Sequence, residues 1–152
     1  MNFNIYIDTS VIGGYFDVEF EEATKEFFRL AIENKAFFLI SDLLELEIST
    51  APEFVRNFFK TLPESKIKKI EVTEDAKKLA MMYVNEKIVG ETSLSDCQHI
   101  ATATLNYAHV LVSWNFKHIV NLTRIRGYNS INLREGYPVI EIRTPKEIFK
   151  NE

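Results

Sequence analysis

Short apolar runs alternate with amphipathic stretches along the whole chain, and this alternation restricts the fold more than any other feature. Phe3 to Ile7, Ala36 to Ile40 and His109 to Ser113 have the length and composition of buried strands. A weaker run lies at Ile67 to Val72, and Val139 to Ile142 reads as the last. Between them, Phe20, Ala23, Phe27, Leu30, Ala31 and Asn34 recur at spacings of three and four, predicting a helix over 20–34. Ser41 is placed to cap a short helix over Leu43 to Ser49, and Pro52 stands near the start of another. Thr73 and Ser93 open two more, the first with Glu74 and Asp75 in its first turn. Thr144-Pro145-Lys146-Glu147 has the form of a capping box with Pro at the first helical position, predicting a closing helix. Strands separated by helices build βαβ units, so the expected fold is a three-layer α/β domain with a mostly parallel sheet. No repeat or linker divides residues 1–152, a length that suits one domain. Asn121 to Pro138 is the longest irregular stretch and is expected to be a functional loop.

Composition narrows the function. At 46% hydrophobic and 26% charged residues the chain is not disordered, and no apolar run reaches the ~18 residues of a membrane span. Met1-Asn2-Phe3-Asn4 lacks a basic leader and Asp8 interrupts the apolar run behind it, so no secretory signal is expected. The lone Cys97 fits a reducing, cytoplasmic setting. A net charge of -4 argues against an all-over electrostatic grip on nucleic acid. Residues 97–134, however, hold Lys117, Arg124, Arg126 and Arg134 and no acid. That segment is either an interior helix followed by a polar loop or a surface for an anionic partner.

In open parallel sheets ligands collect at the carboxyl ends of the strands. Asp8 follows the first strand, Glu45 and Glu47 lie on the helix after the second, Asp96 opens the helix at Ser93, and Asn115 and His118 follow the Val110 to Val112 strand. Asp8 also has an ordinary reading as a turn or cap residue, and Ser93-Leu94-Ser95-Asp96 as a capping box. Glu47 is separated from Glu45 by helix geometry. With about 100° per residue from Leu43, the apolar direction falls near ~50°, Glu47 near ~40° and Glu45 near ~200°. Glu47 therefore leaves the apolar face, where a carboxylate must be protonated, paired or bound to a cation. Three acids from separate segments at one sheet edge offer the oxygen ligands that hard divalent cations take, and phosphodiester hydrolysis is the chemistry such a cation supports. His99, His109 and His118 lack zinc spacing, and neither a phosphate-binding loop nor a nucleophile elbow occurs.

At these residues the sequence resembles the PIN-domain family. Ile5-Tyr6-Ile7-Asp8-Thr9-Ser10-Val11-Ile12 is similar to the family's opening, and Ile40-Ser41-Asp42-Leu43-Leu44-Glu45-Leu46-Glu47-Ile48 to its strand-then-helix segment, whose acid falls on Glu47. Ser95-Asp96-Cys97-Gln98-His99-Ile100-Ala101 resembles its D-x-x-x-I-A helix, Leu111 to Ile119 its later strand and turn, and Arg143 to Glu147 its usual ending. The resemblance implies a Rossmann-like α/β/α fold with a five-stranded parallel sheet. It implies a Mg²⁺- or Mn²⁺-dependent ribonuclease, most like the VapC-type toxins of toxin–antitoxin pairs. Carried over position by position, Asp8, Glu47 and Asp96 would be metal ligands and catalytic residues, with Ser10 supporting them. The products would be a 5′-phosphate and a 3′-hydroxyl. A small antitoxin and a homodimer are the implied protein partners.

The chain departs from the family at the fourth polar position. Many members place an Asp in the segment where this chain has Asn115 and His118; Asn115 offers a carbonyl oxygen or can hold a metal-bound water, but it adds no charge. One anion fewer implies a weaker second metal. Lys117, His118, Arg124 and Arg126 are candidates to neutralise flanking RNA phosphates, or else a solvated loop. A rival reading is a PIN-fold module that binds RNA or a protein without cutting. A phosphoaspartate enzyme built on Asp8 is disfavoured, since Ser10 stands where a D-x-D motif needs its second acid.

Overall fold

Residues on a strand point alternately to opposite faces, and here both faces find a hydrophobic layer. In the computed structural model, which describes residues 2–149, the strands are β1 (Asn4–Ile7), β2 (Phe37–Ser41), β3 (Ile67–Ile70), β4 (Val110–Val112) and β5 (Ile142–Arg143). They form one parallel sheet in the order β3-β2-β1-β4-β5. The helices are α1 (Thr9–Gly14), α2 (Glu21–Glu33), α3 (Asp42–Ser49), α4 (Glu53–Lys60), α5 (Glu74–Asn85), α6 (Leu94–Leu105) and α7 (Leu122–Arg134). Ile5, Ile7, Phe38, Ile40, Val110 and Val112 turn to a core with Val11 and Ile12 of α1, Phe27 and Phe28 of α2, Leu44 of α3 and Val55 of α4. Tyr6, Leu39 and Leu111, the alternate residues, turn to α5, α6 and α7, where Leu79, Tyr83, Ile100 and Tyr128 wait. The three-layer α/β expectation holds, with all strand pairs parallel. No helix among the described residues is long and apolar enough to cross a membrane.

Three expectations need correction. Asn121 to Pro138 is not a loop: Asn121 accepts a hydrogen bond from the Arg124 N–H and α7 follows. Its inward face carries Asn132 beside Tyr128 and Ile131, so the apolar periodicity is diluted by a buried amide that Tyr83 satisfies. The last strand begins at Ile142, not Val139. The Asn129 side chain accepts from the Ile140 N–H at 2.8 Å and donates to its C=O at 3.0 Å, taking the groups a strand would have used. The capping box at Thr144 forms, but through residue 149 it opens a 3₁₀ turn, Pro145–Glu147, where an α-helix was expected. A further helix, α1, stands where the sequence suggested only a polar turn after Asp8.

The chain leaves β1 toward β2 on one side and returns to β4 on the other, so the sheet changes direction between β1 and β4. That is the position at which open α/β sheets form their ligand crevice. Trp114, just after β4, is braced there: it stacks on Phe20 at 4.3 Å and donates to Thr24 Oγ1 at 2.9 Å. Gly14 at the end of α1 makes room for it, since a Cβ at that position would lie 2.6 Å from the indole ring.

Candidate active site

Asp8 ends β1, its N–H continuing the ladder to the Val112 carbonyl. Although it stands at the N-cap of α1, its side chain makes no capping bond. The carboxylate is 4% exposed and is held by two hydroxyls: Ser10 Oγ donates to Oδ1 at 2.6 Å and Ser113 Oγ to Oδ2 at 2.6 Å. Both hydroxyls are fixed as donors to Asp8, because each already accepts a backbone N–H, from Trp114 and from Asn115 respectively, at 2.9 Å. Burial pushes the Asp8 carboxyl above the usual carboxylate range. The charge of His99 and the two hydroxyls pull it back, and Asp96 pushes it further up. No Lys, Arg or His among the described residues forms an ion pair with it.

Asp96 lies half-buried in the first turn of α6, where Ser93 Oγ caps its N–H at 3.0 Å. A chain of contacts joins it to Asp8: Ser113 donates to Asp8, the Asn115 N–H donates to Ser113, and Asn115 Nδ2 approaches Asp96 Oδ2 at 3.4 Å. The oxygen of the Asn115 amide is spent on the His118 N–H at 2.9 Å. Asn115 is therefore a neutral tether for Asp96, and its carbonyl is not turned to the site as the sequence suggested. An acid in its place would meet Asp96 with a like charge.

Glu47 leaves the buried side of α3, as the helix geometry predicts, and its side chain is 31% exposed. Its surroundings are the reverse of those at Asp8. Thr9 Oγ1 donates to Oε1 at 2.6 Å, His99 Nε2 lies 2.6 Å from the same oxygen, and Ser95 Oγ donates to Oε2 at 2.8 Å. His99 is itself held at Nδ1 by the Tyr6 hydroxyl at 2.6 Å, and that hydroxyl donates to Ser41 Oγ at 3.0 Å. Burial alone would raise the Glu47 carboxyl, but the bonds from His99, Thr9 and Ser95 outweigh it and hold the group down at about 2. Its partner is thus a histidine, and not the lysine or arginine an ordinary ion pair would use. Thr9, Ser95, His99 and Ser113 escaped the sequence reading. The signal for two of them was available, since Ser95 and His99 are four apart on α6 and share a face with Asp96.

Among the described residues no three acidic, histidine or cysteine side chains form a ready-made cation site. A cage built from Asp8, Glu47 and Asp96 together is not what the structure presents. Asp8 and Asp96 are tied to one another through Ser113 and Asn115, while the Glu47 oxygens face Thr9, Ser95 and His99. Mg²⁺ needs no more than one or two carboxylates, with waters in its other positions. A buried carboxylate whose direct partners are neutral hydroxyls has the charge imbalance that such a cation corrects. The donor set fits a hard divalent ion on Asp8 and Asp96.

The candidate phosphate-binding residues divide. Lys117 and Arg126 are exposed. The guanidinium of Arg124 donates to the Val89 carbonyl and packs beside Gly90, which pins the 3₁₀ turn Lys87–Val89. His118 is half-buried, its carbonyl accepts the Tyr128 hydroxyl at 2.7 Å, and its Nδ1 is enclosed with no hydrogen-bond partner among the described residues.

No protein-family model matches the sequence, and no curated protein matches it significantly. Solved structures do. The chain is similar to DNA-bound VapBC from Salmonella typhimurium, with 17% identity over 95% of this chain and 99% of that one and a TM-score of 0.61. FitAcB from Neisseria gonorrhoeae matches at 12% identity over 95% and 99% of the two chains, with a TM-score of 0.57. Mycobacterium tuberculosis VapC20, a toxin that cleaves the sarcin–ricin loop, matches at 14% identity over 75% and 92%, with a TM-score of 0.57. What this chain shares with these proteins is the PIN-domain fold, as its motifs lead one to expect.

Proposed function

We propose that this PIN-fold protein is a Mg²⁺- or Mn²⁺-dependent endoribonuclease and the toxin of a toxin–antitoxin pair. The observation that carries the reading is Asp8: a buried carboxylate at the switch point of the sheet, hydrogen-bonded among the described residues by the neutral hydroxyls of Ser10 and Ser113 and linked through Ser113 and Asn115 to Asp96. Asp8 and Asp96 would hold the cation. When bound, it supplies an electrophilic clamp on a phosphate and a water made acidic enough to attack near neutral pH. The chain's own part is positional. Ser10 and Ser113 keep both oxygens of Asp8 aimed, Asn115 keeps Asp96 from swinging away, and the Trp114 brace fixes the turn that carries Ser113 and Asn115. Lys117 and Arg126 would take flanking RNA phosphates, positioning the strand without reading its bases. Arg124, already engaged with Val89, would not. The toxin assignment and the antitoxin partner are supported by the structural neighbours, among them the Mycobacterium tuberculosis toxin and a toxin–antitoxin complex from Klebsiella pneumoniae.

The test incubates the purified protein with mixed RNAs in Mn²⁺ or in chelator, wild type beside Asp8→Asn. Cleavage by wild type in Mn²⁺ alone, leaving 5′-phosphate ends, is expected. Equal cleavage in chelator, or by Asp8→Asn, would refute the mechanism. The neutral Asn115 favours a second reading, a module that binds without cutting, and RNA binding with no cleavage in Mn²⁺ would establish it.

A further inference from the structure

Thr9 directly follows Asp8, and Ser95 directly precedes Asp96. Both donate to Glu47, one to each carboxylate oxygen. A third helix thus reaches between the two segments that carry the acids and takes hold of each beside its acid. The grip is anchored from beneath: His99, 2% exposed, fills the second acceptor site of Oε1, and Tyr6 of β1, itself bonded to Ser41 of β2, holds His99 against the sheet. An ionised carboxylate oxygen offers about two acceptor sites. Oε1 has both occupied and Oε2 one, by groups that belong to α1 and α6.

We propose that Glu47 is a positioning residue: its carboxylate straps α1 to α6 and so sets the separation of Asp8 and Asp96, and it does not itself ligate the cation. The proposal rests on the reading that Asp8 and Asp96 hold a divalent ion. His99 is the second member of the strap, fixing the carboxylate that fixes the ligands. Partners one step removed from a metal orient its ligands, and their loss costs about 10–100-fold in affinity.

The experiment measures Mn²⁺ binding to RNA-free protein by calorimetry, with kcat and KM for RNA alongside. It compares wild type, Glu47→Gln, the pair Thr9→Val with Ser95→Ala, and all three changes together. A strap predicts that Glu47→Gln and the hydroxyl pair each weaken Mn²⁺ about tenfold or more. The triple variant should then be no worse than the poorer of the two, because changes along one route do not add. In RNA cleavage kcat should fall while KM holds. If Glu47 is a ligand, the hydroxyl pair frees it and Mn²⁺ affinity stays at the wild-type level, with Glu47→Gln alone weakening it; that result overturns the proposal, as would additive losses.

A metal-free arm separates this proposal from the reading beneath it. In chelator, the effects of Thr9→Val and Ser95→Ala on melting temperature should be coupled, and Glu47→Gln should abolish the coupling. Coupling with no Mn²⁺ uptake by any form would sink the cation reading and keep the strap. No coupling would sink the strap whatever Mn²⁺ does.

Discussion

Asp8 closes β1 and Glu47 lies on the helix that follows the neighbouring strand β2, and the fold treats the two carboxylates in opposite ways. Asp8 is nearly out of water, its carboxylate hydrogen-bonded among the described residues by two hydroxyls, and burial raises its pKa. Glu47 keeps some exposure, has a histidine and two hydroxyls, and is held down at about 2. Among the described residues Asp8 has no basic side chain in direct contact, whereas Glu47 has one. The comparison shows that an acid at a sheet edge is not evidence of a ligand until its partners are counted. Within one site, the unbalanced carboxylate is the one a cation would stabilise, and the balanced one is the one the fold already uses.

The sharpest way to break this contrast is to neutralise each acid in turn. Asp8→Asn should lower RNA cleavage by more than about 100-fold, beyond the upper end of what losing an outer partner costs; single-turnover cleavage in Mn²⁺ reads it. Glu47→Ala should act first on folding. It leaves His99, Thr9 and Ser95 without their acceptor, and each unsatisfied buried partner costs about 1–3 kcal/mol. Urea denaturation in chelator should show the loss, and a stability equal to wild type would mean the pairing contributes nothing. Gly14→Ala tests the brace behind the Asp8 side of the site, since a Cβ there meets the Trp114 ring: overpacking of this kind costs about 1–3 kcal/mol. It should also change the emission of Trp114, the only tryptophan of the chain.

A smaller effect sharpens the comparison by pH. The Glu47 carboxyl sits below its ordinary value of 4.5, so its contribution to stability is fully present above that value and is lost as pH falls through about 2. The melting-temperature gap between wild type and Glu47→Gln should be constant from neutral pH down to about 5 and then close. A gap that widens in acid would contradict the assignment. The smallest effect separates the cations. Lys117→Ala should reduce the salt dependence of RNA binding by about 0.7 in log–log slope, the share of one single-strand phosphate contact. Arg124→Ala should leave that slope alone and lower stability.

The fold was legible where chemistry repeats at a fixed period. Ile5, Ile7, Phe38 and Ile40 needed only the continuous apolar runs, and the caps at Ser41, Thr73 and Ser93 form as their residue types predict. α7 was obscured because part of its buried face is polar: Asn132 and Asn129 read as loop residues until Tyr83 and the Ile140 backbone are seen to meet them. Of the site, the acids stood out because charge after a strand or on an apolar face is conspicuous. Their partners did not. Ser113 and Ser95 are common residues whose role depends on the direction of one hydroxyl, and His99 gains its role from a carboxylate 52 residues away.

Thermal melting of wild type and Asp8→Asn, each in chelator and in Mn²⁺, tests the uncompensated charge of Asp8 most directly, without requiring catalysis. The order should invert. In chelator Asp8→Asn should melt above wild type, by about 2–4 °C for each kcal/mol relieved in a chain of this length, and Mn²⁺ should raise wild type while leaving the variant unmoved. If Asp8→Asn melts lower in chelator and Mn²⁺ shifts both proteins equally, the Asp8 charge is already balanced within the fold and no cation is held there.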